Sequence, residues 1–375
     1  MIPINDLSRH VEPADTWQQE LDKVRDVLER GLFFGGPATE RFEHDFAAYV
    51  GVEHCAGVAS GTDALTLALE GVGVGPGAKV ATVANAGFYT SVACRRIGAQ
   101  PVYVDVDPRT ACIDADQLRG ILDGSFAAVV ATHLYGQVAD VEALSGVCDR
   151  WGVPLIEDCA QATGGRVDGK VAGSFGTVGC FSFYPTKNLG AFGDAGAVVS
   201  DSADVVDRIR AMAQYGWSQK YRVTHPGGMN ARLDEVQAAV LAARLPRLDA
   251  LNAVRRQIAA RVKDVAHRHG CRMFFEDGDF HVAHLAVLQV CERDAVRQRL
   301  GQLGVGTEVH YPIPDHRQPV VMQAAGAELS LPVTEMLAES VVTVPCFPAL
   351  HTLEIDHLLD SLDRVLVDQG SWVAP

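Results

Sequence analysis

The chain has 375 residues, 48% of them hydrophobic and 21% charged, enough apolar material for two ordinary globular domains. Its 32 basic against 47 acidic residues leave a formal charge of -15, which disfavours non-specific attraction to nucleic acid or anionic lipid. No apolar run reaches the length of a membrane span and the opening stretch MIPINDLSRHVEPAD has no leader-like pattern, so a cytoplasmic protein is expected.

The first periodic segment, TWQQELDKVRDVLERGLF, sets Trp17, Leu21, Val24, Val27 and Leu28 at helical spacing and stops at Gly31. A second helix follows in GPATERFEHDFAAYVG, with Pro37 near its start and Phe42, Phe46 and Val50 on one face. Short apolar runs then recur at 55–59, 79–83, 101–106, 127–132, 153–157, 178–183 and 196–200, most of them separated by helix-length segments. This alternation predicts an α/β domain built on a mostly parallel sheet of seven strands, with ligand-binding loops beyond the strand ends. Past a long helical region interrupted at Pro246, the pattern changes to isolated strands, HVAHLAVLQV and GVGTEVHYP, among short helices. A boundary is expected there, dividing a large domain, 1–245, from a smaller α+β C-terminal domain, 246–375. The nine cysteines are scattered singly in apolar surroundings and read as core residues.

Of the loops after 59, 83, 132, 157 and 183, four carry candidate chemistry. After the first, Ser60-Gly61-Thr62 opens a helix whose free backbone N–H groups suit a phosphate; equally, Thr62 or Asp63 simply caps that helix. After the second, Phe88 and Tyr89 follow a glycine, either to stack on a flat ring or to fill a gap in the core. VPLIEDCAQATGG ends a buried strand in Glu157 and Asp158: Glu157 reads as the satisfier of a turn, Asp158 as the partner of a ligand cation, with Gln161 close by. In FSFYPTKNLGAFGDAGAVV, Ser182 offers a hydroxyl, Lys187 an amine able to form an imine if its pKa is lowered, and the small residues through 193–197 allow close approach of something bulky. Taken alone, Lys187 reads equally as a surface lysine. Together, phosphate donors, a stacking aromatic, a carboxylate for a pyridinium nitrogen and an imine-forming lysine are what pyridoxal 5'-phosphate requires.

With these residues in view, the chain resembles the DegT/DnrJ sugar aminotransferases of PLP fold type I, an aspartate aminotransferase-like fold. The likeness runs through FFGGPATERFEHDFAAYVG, SGTDAL, GAQPVYVDVDP, LYGQ, EDCAQATGG, FSFYPTKNLGAFGDAGAV, GGMNARLDEVQAAVL and HYPIPDH. It implies Lys187 as the Schiff-base lysine, Asp158 as the pyridinium partner, Gln161 beside the ring, and Gly61, Thr62 and Ser182 as phosphate ligands. It also implies Asn230 as a phosphate ligand of the neighbouring subunit, hence a homodimer with shared sites and pyridoxamine 5'-phosphate as the intermediate form. Two departures stand out: NAGFYTS where the family has a P-x-F-T-F-like segment, and Ala195 where many relatives carry glycine. Family members with histidine at the lysine position catalyse dehydration or deoxygenation, and Lys187 argues against that reaction here.

The histidines divide. His267, His269, Cys271, His281 and His284 are read as a helix end and a strand, with no metal site expected. His310 and Tyr311 in HYPIPDH, together with Tyr215 in the 215–230 loop, are placed by the resemblance near the substrate. The expected reaction moves an amino group from L-glutamate to a nucleotide-linked keto-sugar, most specifically a TDP-linked 6-deoxyhexose with its ketone at C3. The alternatives are a keto-cyclitol of the scyllo-inosose type as acceptor, or a PLP-fold regulatory protein without turnover.

Overall fold

The computed structural model describes residues 1–9, 14–323 and 329–367, so residues 10–13 of the opening stretch lie outside it. Helix α1 (Ala14–Arg30) ends where Gly31 turns left-handed, and α2 (Pro37–Val50) starts on Pro37, whose fixed φ suits the first helical position. Phe42, Phe46 and Val50 of α2 are buried as the spacing requires, whereas Leu28 of α1, expected on the apolar face, is 57% exposed.

The main sheet contains β1 (His54–Val58), β2 (Lys79–Val83), β3 (Gln100–Val104), β4 (Phe126–Thr132), β5 (Leu155–Asp158), β6 (Val178–Ser182) and β7 (Gly196–Ser200). Their spatial order is β1-β7-β6-β5-β4-β2-β3. Every neighbouring pair from β6 across to β3 is parallel, while β7 runs antiparallel to both β6 and β1. All seven strands fall on the apolar runs of the sequence. Helices α3 (Gly61–Gly71), α4 (Tyr89–Arg96), α5 (Ala115–Ile121), α6 (Val141–Trp151) and α7 (Ala203–Ala213) connect or flank them.

Strand residues alternate between the two faces. Ile156 of β5 joins Leu65, Leu67, Ile209 and Met212 in one apolar layer, and Leu155 joins Leu118, Leu144 and Val147 in the layer opposite. A third cluster packs Phe42, Phe46, Phe181 and Phe183, with Phe46 edge-on to both Phe181 and Phe183. Truncating one of these rings to alanine typically costs about 3–5 kcal/mol.

Helices α8 (Glu235–Arg244) and α9 (Leu248–Arg268) meet at a 3-10 turn, Leu245–Arg247, which carries Pro246. Beyond it lies an antiparallel sheet of β8 (Arg272–Met273), β9 (Ala286–Gln289) and β10 (Val341–Val344), packed against α9, α10 (Arg293–Gln302) and the helix Thr352–Leu366. Ile2 bridges to Val305 here, and Phe274 and Val287 share a cluster with Val83 and Val129 of the main sheet. The strands expected in this region are shorter than the apolar runs suggested. In HVAHLAVLQV only Ala286–Gln289 is extended, because His281 takes backbone partners with its ring: Nδ1 accepts from Ala283 N–H at 3.0 Å and Nε2 lies 3.1 Å from the Phe274 carbonyl. Ala283 then turns the chain with φ at +47°. GVGTEVHYP forms only isolated bridges, at Val305 and Glu308.

Among the described residues no helix is long and apolar enough to cross a membrane. Eight of the nine cysteines are buried and all nine are free thiols.

Candidate active site

A cavity of about 820 Å³ opens at the carboxyl ends of the main strands, and Lys187, Asp158, Gln161, Ser182, Gly61 and Thr62 all line it. Lys187 stands in a tight turn after β6. Its amide donates to the Tyr184 carbonyl at 2.8 Å and the turn is tied back by Ala191 N–H to the Phe183 carbonyl at 2.7 Å. Gly190 is obligatory in that turn, since a Cβ there would sit 2.5 Å from the Pro185 carbonyl oxygen. Burial pushes the Lys187 amine down to about 8, and the Asp158 carboxylate opposes that shift. Asp158 is 4% exposed and accepts from the Ala160 N–H at 3.1 Å and the Thr132 hydroxyl at 3.3 Å. Burial raises its pKa above the ordinary value, with Ala160 and Lys187 acting in the other direction. A carboxylate with so few donors suits a cationic partner inside the cavity.

Its neighbour Glu157 belongs to the other face. The Glu157 carboxylate accepts N–H bonds from Gly173 (2.8 Å), Phe175 (2.7 Å) and Gly176 (2.7 Å) and lies 2.9 Å from His133 Nε2. His133 Nδ1 accepts from Ala139 N–H, so its proton sits on Nε2 and points at Glu157. Burial alone would raise the Glu157 pKa, but the His133 bond and the turn amides hold it below the ordinary value. The sequence reading of Glu157 as a turn partner holds, although the turn is 173–176 and not the one that follows it. His133, Glu157 and Cys159 lie close enough to suggest metal ligation, yet the carboxylate is saturated by hydrogen bonds and burial raises the Cys159 thiol pKa well above its usual value. The group is a hydrogen-bonded lock behind β5.

At the opposite end of the cavity α3 begins. Neither Thr62 nor Asp63 caps it. Ser60 does, accepting from Asp63 N–H at 3.1 Å, and the first intrahelical bond runs from Ala64 N–H to the Ser60 carbonyl. The Gly61 and Thr62 amides precede that bond at the positive end of the helix, a setting for an anion. Gly61 packs so closely on Ser182 that an added Cβ would lie 2.6 Å from the serine Cβ.

Tyr89, and not Phe88, lines the cavity. Phe88 has a left-handed backbone, φ +70°, and its N–H is held by Asp315 Oδ1 at 2.9 Å. Tyr89 meets Tyr311 edge-on with ring centroids 6.3 Å apart. Gly87 sits between them with φ at +77°, and a Cβ there would come within 2.9 Å of both rings. Tyr311 Oη accepts from Gln161 Nε2 at 3.1 Å, Gln161 Oε1 accepts from Tyr135 N–H at 2.8 Å, and Tyr135 Oη donates to the His310 carbonyl at 2.5 Å. His310 Nδ1 pairs with Thr343 Oγ1 at 2.8 Å, and burial beside Lys187 takes its pKa down to about 4, leaving a neutral ring. The structure therefore brings His310 and Tyr311 to the cavity as expected.

Asn230 and Tyr215 are not among its lining. Asn230 is exposed and pairs with Gln214 as an isolated bridge; its Oδ1 accepts from Arg232 Nη2 at 2.9 Å. Tyr215 is 41% exposed, with the Arg232 guanidinium 5.8 Å from its ring. Ala195 is buried with Phe183 and Leu189 in the core and is not among the residues that line the cavity. The separate histidines also find separate partners: His269 pairs with Asp363 at 2.9 Å and His284 Nδ1 with Asn188 Oδ1 at 2.9 Å.

Arg255 and His284 line the cavity and were not expected there. Arg255 had a readable signal. It occupies the buried stripe of α9 with Leu248, Asn252, Ile258, Ala259 and Val262, where a charge is out of place.

The DegT/DnrJ/EryC1/StrS aminotransferase family model matches residues 15–363. The dTDP-3-amino-3,4,6-trideoxy-alpha-D-glucose transaminase of Micromonospora megalomicea subsp. nigra is 40% identical, over 92% of this chain and 94% of that protein. The crystal structure of S. venezuelae DesV in complex with a ketimine intermediate superposes with a TM-score of 0.93 at 36% identity, covering 97% of this chain and 98% of that one. That of NtdA from Bacillus subtilis with bound cofactor PMP superposes at 0.90 with 29% identity, covering 97% and 85%. The chain belongs to the DegT/DnrJ/EryC1/StrS aminotransferase family.

Proposed function

We propose that this chain is a PLP-dependent aminotransferase that moves the amino group of L-glutamate to the ketone of a TDP-linked keto-6-deoxyhexose, at C3, giving 2-oxoglutarate and the amino-sugar. The observation that carries the reading is the meeting, in one cavity, of a lysine with its pKa lowered to about 8, an under-bonded buried carboxylate and an amide-lined helix start. The relative from Micromonospora, named for a TDP-linked 3-amino sugar, supports the acceptor class.

Pyridoxal 5'-phosphate, when bound, supplies an aldehyde and an electron-accepting ring. The residues present fit it: the Gly61 and Thr62 amides with the Ser182 hydroxyl would hold its phosphate, Asp158 would keep the proton on its ring nitrogen, and Tyr89 and Gln161 would flank the ring. Lys187 Nζ then acts as the proton carrier, taking a proton from the donor Cα and later delivering one to the sugar carbon that receives the amine. With a pKa of about 8, roughly one amine in ten is free base at pH 7, against about one in three thousand for an ordinary lysine. His310, its pKa lowered to about 4, adds no second cation beside that amine.

Asn230 lies on the surface outside the cavity, so its phosphate role requires a second copy of the chain. The reading therefore includes a homodimer with shared sites. Adding L-glutamate to the PLP-loaded protein should convert the cofactor spectrum to the amine form; a spectrum that glutamate leaves unchanged sinks the enzyme reading. Competition by free TDP in the second half-reaction separates a nucleotide-sugar acceptor from a keto-cyclitol. Mixing Lys187→Ala with Asn230→Ala chains should restore one intact site per heterodimer, and absence of rescue after verified subunit exchange counts against sharing.

A further inference from the structure

Arg255 is 2% exposed, on the wall shared by the active-site cavity and a second cavity of about 630 Å³. Lys187 lines both of these cavities too. Of the five N–H donors of the guanidinium, only those on Nη1 find acceptors, the carbonyls of Cys346 at 2.7 Å and His284 at 3.3 Å. Nε has no partner, and among the described residues no carboxylate pairs with the group. Arginine cannot shed its charge at accessible pH, so a buried one needs an anion. Arg244 shows how the fold meets that need elsewhere. It borders the same second cavity and is also buried, but Glu20 grips it from Nε and Nη2 at 3.0 and 2.8 Å. Nothing of the kind serves Arg255. The adjacent His284 is neutral, its pKa lowered by burial and by Lys187 and Arg255 themselves.

We propose that Arg255 receives the α-carboxylate of the amino donor. The α-carboxylate and the amine are bonded to one carbon, and the amine must reach the aldehyde carbon that Lys187 would hold, so the carboxylate enters the cavity that Lys187 and Arg255 both line. The planar fork retains the donors that a carboxylate accepts. Arg255 thus supplies donor recognition from the C-terminal side of the cavity, while the strand ends opposite hold the cofactor. This assignment rests on the aminotransferase reading above.

The test uses the PLP-loaded enzyme and its Arg255→Lys and Arg255→Gln variants. In the donor half-reaction, KM for L-glutamate should rise about 30-fold or more, and glutarate, an inert dicarboxylate followed by calorimetry, should lose at least about tenfold in affinity. The half-reaction with the amino-sugar, and binding of TDP, should stay within about threefold of the parent enzyme, since neither ligand carries the donor carboxylate. A folded variant with unchanged glutamate KM and glutarate affinity overturns the assignment, as does an equal loss in both half-reactions, which marks a structural role. One measurement needs no variant: the parent enzyme should prefer L-glutamate over its α-amide, L-isoglutamine, by about 30-fold, and equal use of the two overturns the proposal. If no amino acid serves as donor, the aminotransferase reading fails by itself. Glutarate calorimetry then decides Arg255 alone, with binding lost in Arg255→Lys supporting a carboxylate site and equal binding refuting it.

Discussion

Glu157 and Asp158 are adjacent in the chain and face opposite sides of the end of β5, and the two sides could hardly treat a carboxylate more differently. On one, three turn amides and the His133 ring saturate Glu157 and lower its pKa. On the other, Asp158 has a single amide and a long hydroxyl contact, its pKa is raised, and Lys187 faces it across the cavity. Donor count separates structure from chemistry here. A carboxylate whose lone pairs are all taken can only hold the fold together, whereas one left short is free to stabilise a ligand's charge.

The comparison can be broken first at the cation Asp158 faces. Lys187→Ala should lower turnover by about 10⁴-fold or more, the loss of proton transfer and cofactor attachment together, with little change in thermal midpoint; single-turnover rates within tenfold of the parent would contradict the assignment. Asp158→Asn comes next, at about 3–5 kcal/mol in cofactor affinity or rate and little in stability, read by cofactor titration beside denaturant unfolding. Glu157→Gln should show the reverse. An amide offers one acceptor where two oxygens served four donors, and it sets its own NH₂ against N–H groups, so stability should fall by about 2–3 kcal/mol while the apparent cofactor affinity of the folded fraction is kept.

The pH dependence of Glu157 follows from its lowered pKa. Its contribution is fully present above the unfolded value, 4.5, and is lost as pH falls through the lower folded value, so Glu157→Gln should flatten the acid limb of the stability curve. Equal losses of affinity and stability in both carboxylate variants would erase the distinction between the two faces. The smallest effect concerns Lys187. The rate at which the cofactor-free protein couples to pyridoxal phosphate should rise with pH about a midpoint near 8, and Asp158→Asn should move that midpoint lower, because the carboxylate is what holds the pKa up. A midpoint above 10 would show that the lysine is not desolvated.

Much of this was legible in the sequence for a local reason. The loops after β1, β5 and β6 carry their chemistry within a few residues of a strand end, so recognising the strand locates Gly61, Asp158 and Lys187. Choosing between Phe88 and Tyr89 was not possible, because it turns on one left-handed residue held by Asp315, more than two hundred positions away. Arg255 shows in the sequence only as a charge in the buried stripe of α9; that it and His284 line this cavity depends on long-range packing, such as Val287 of β9 against Val83 and Val129 of the main sheet. The strand in HVAHLAVLQV is shorter than its apolar run, since such a run says nothing of a histidine ring that competes for backbone partners.

The contact of Gly87 with the Tyr89 and Tyr311 rings, reinforced by Asp315 bonding both Phe88 N–H and the Ser91 hydroxyl at 2.6 Å, fastens two loops that are far apart in the chain. Residues 87–91 and 310–316 therefore behave as one unit: a side chain added at Gly87 would push on the rings of both loops at once, and loss of the Asp315 carboxylate would release Phe88 N–H and Ser91 together.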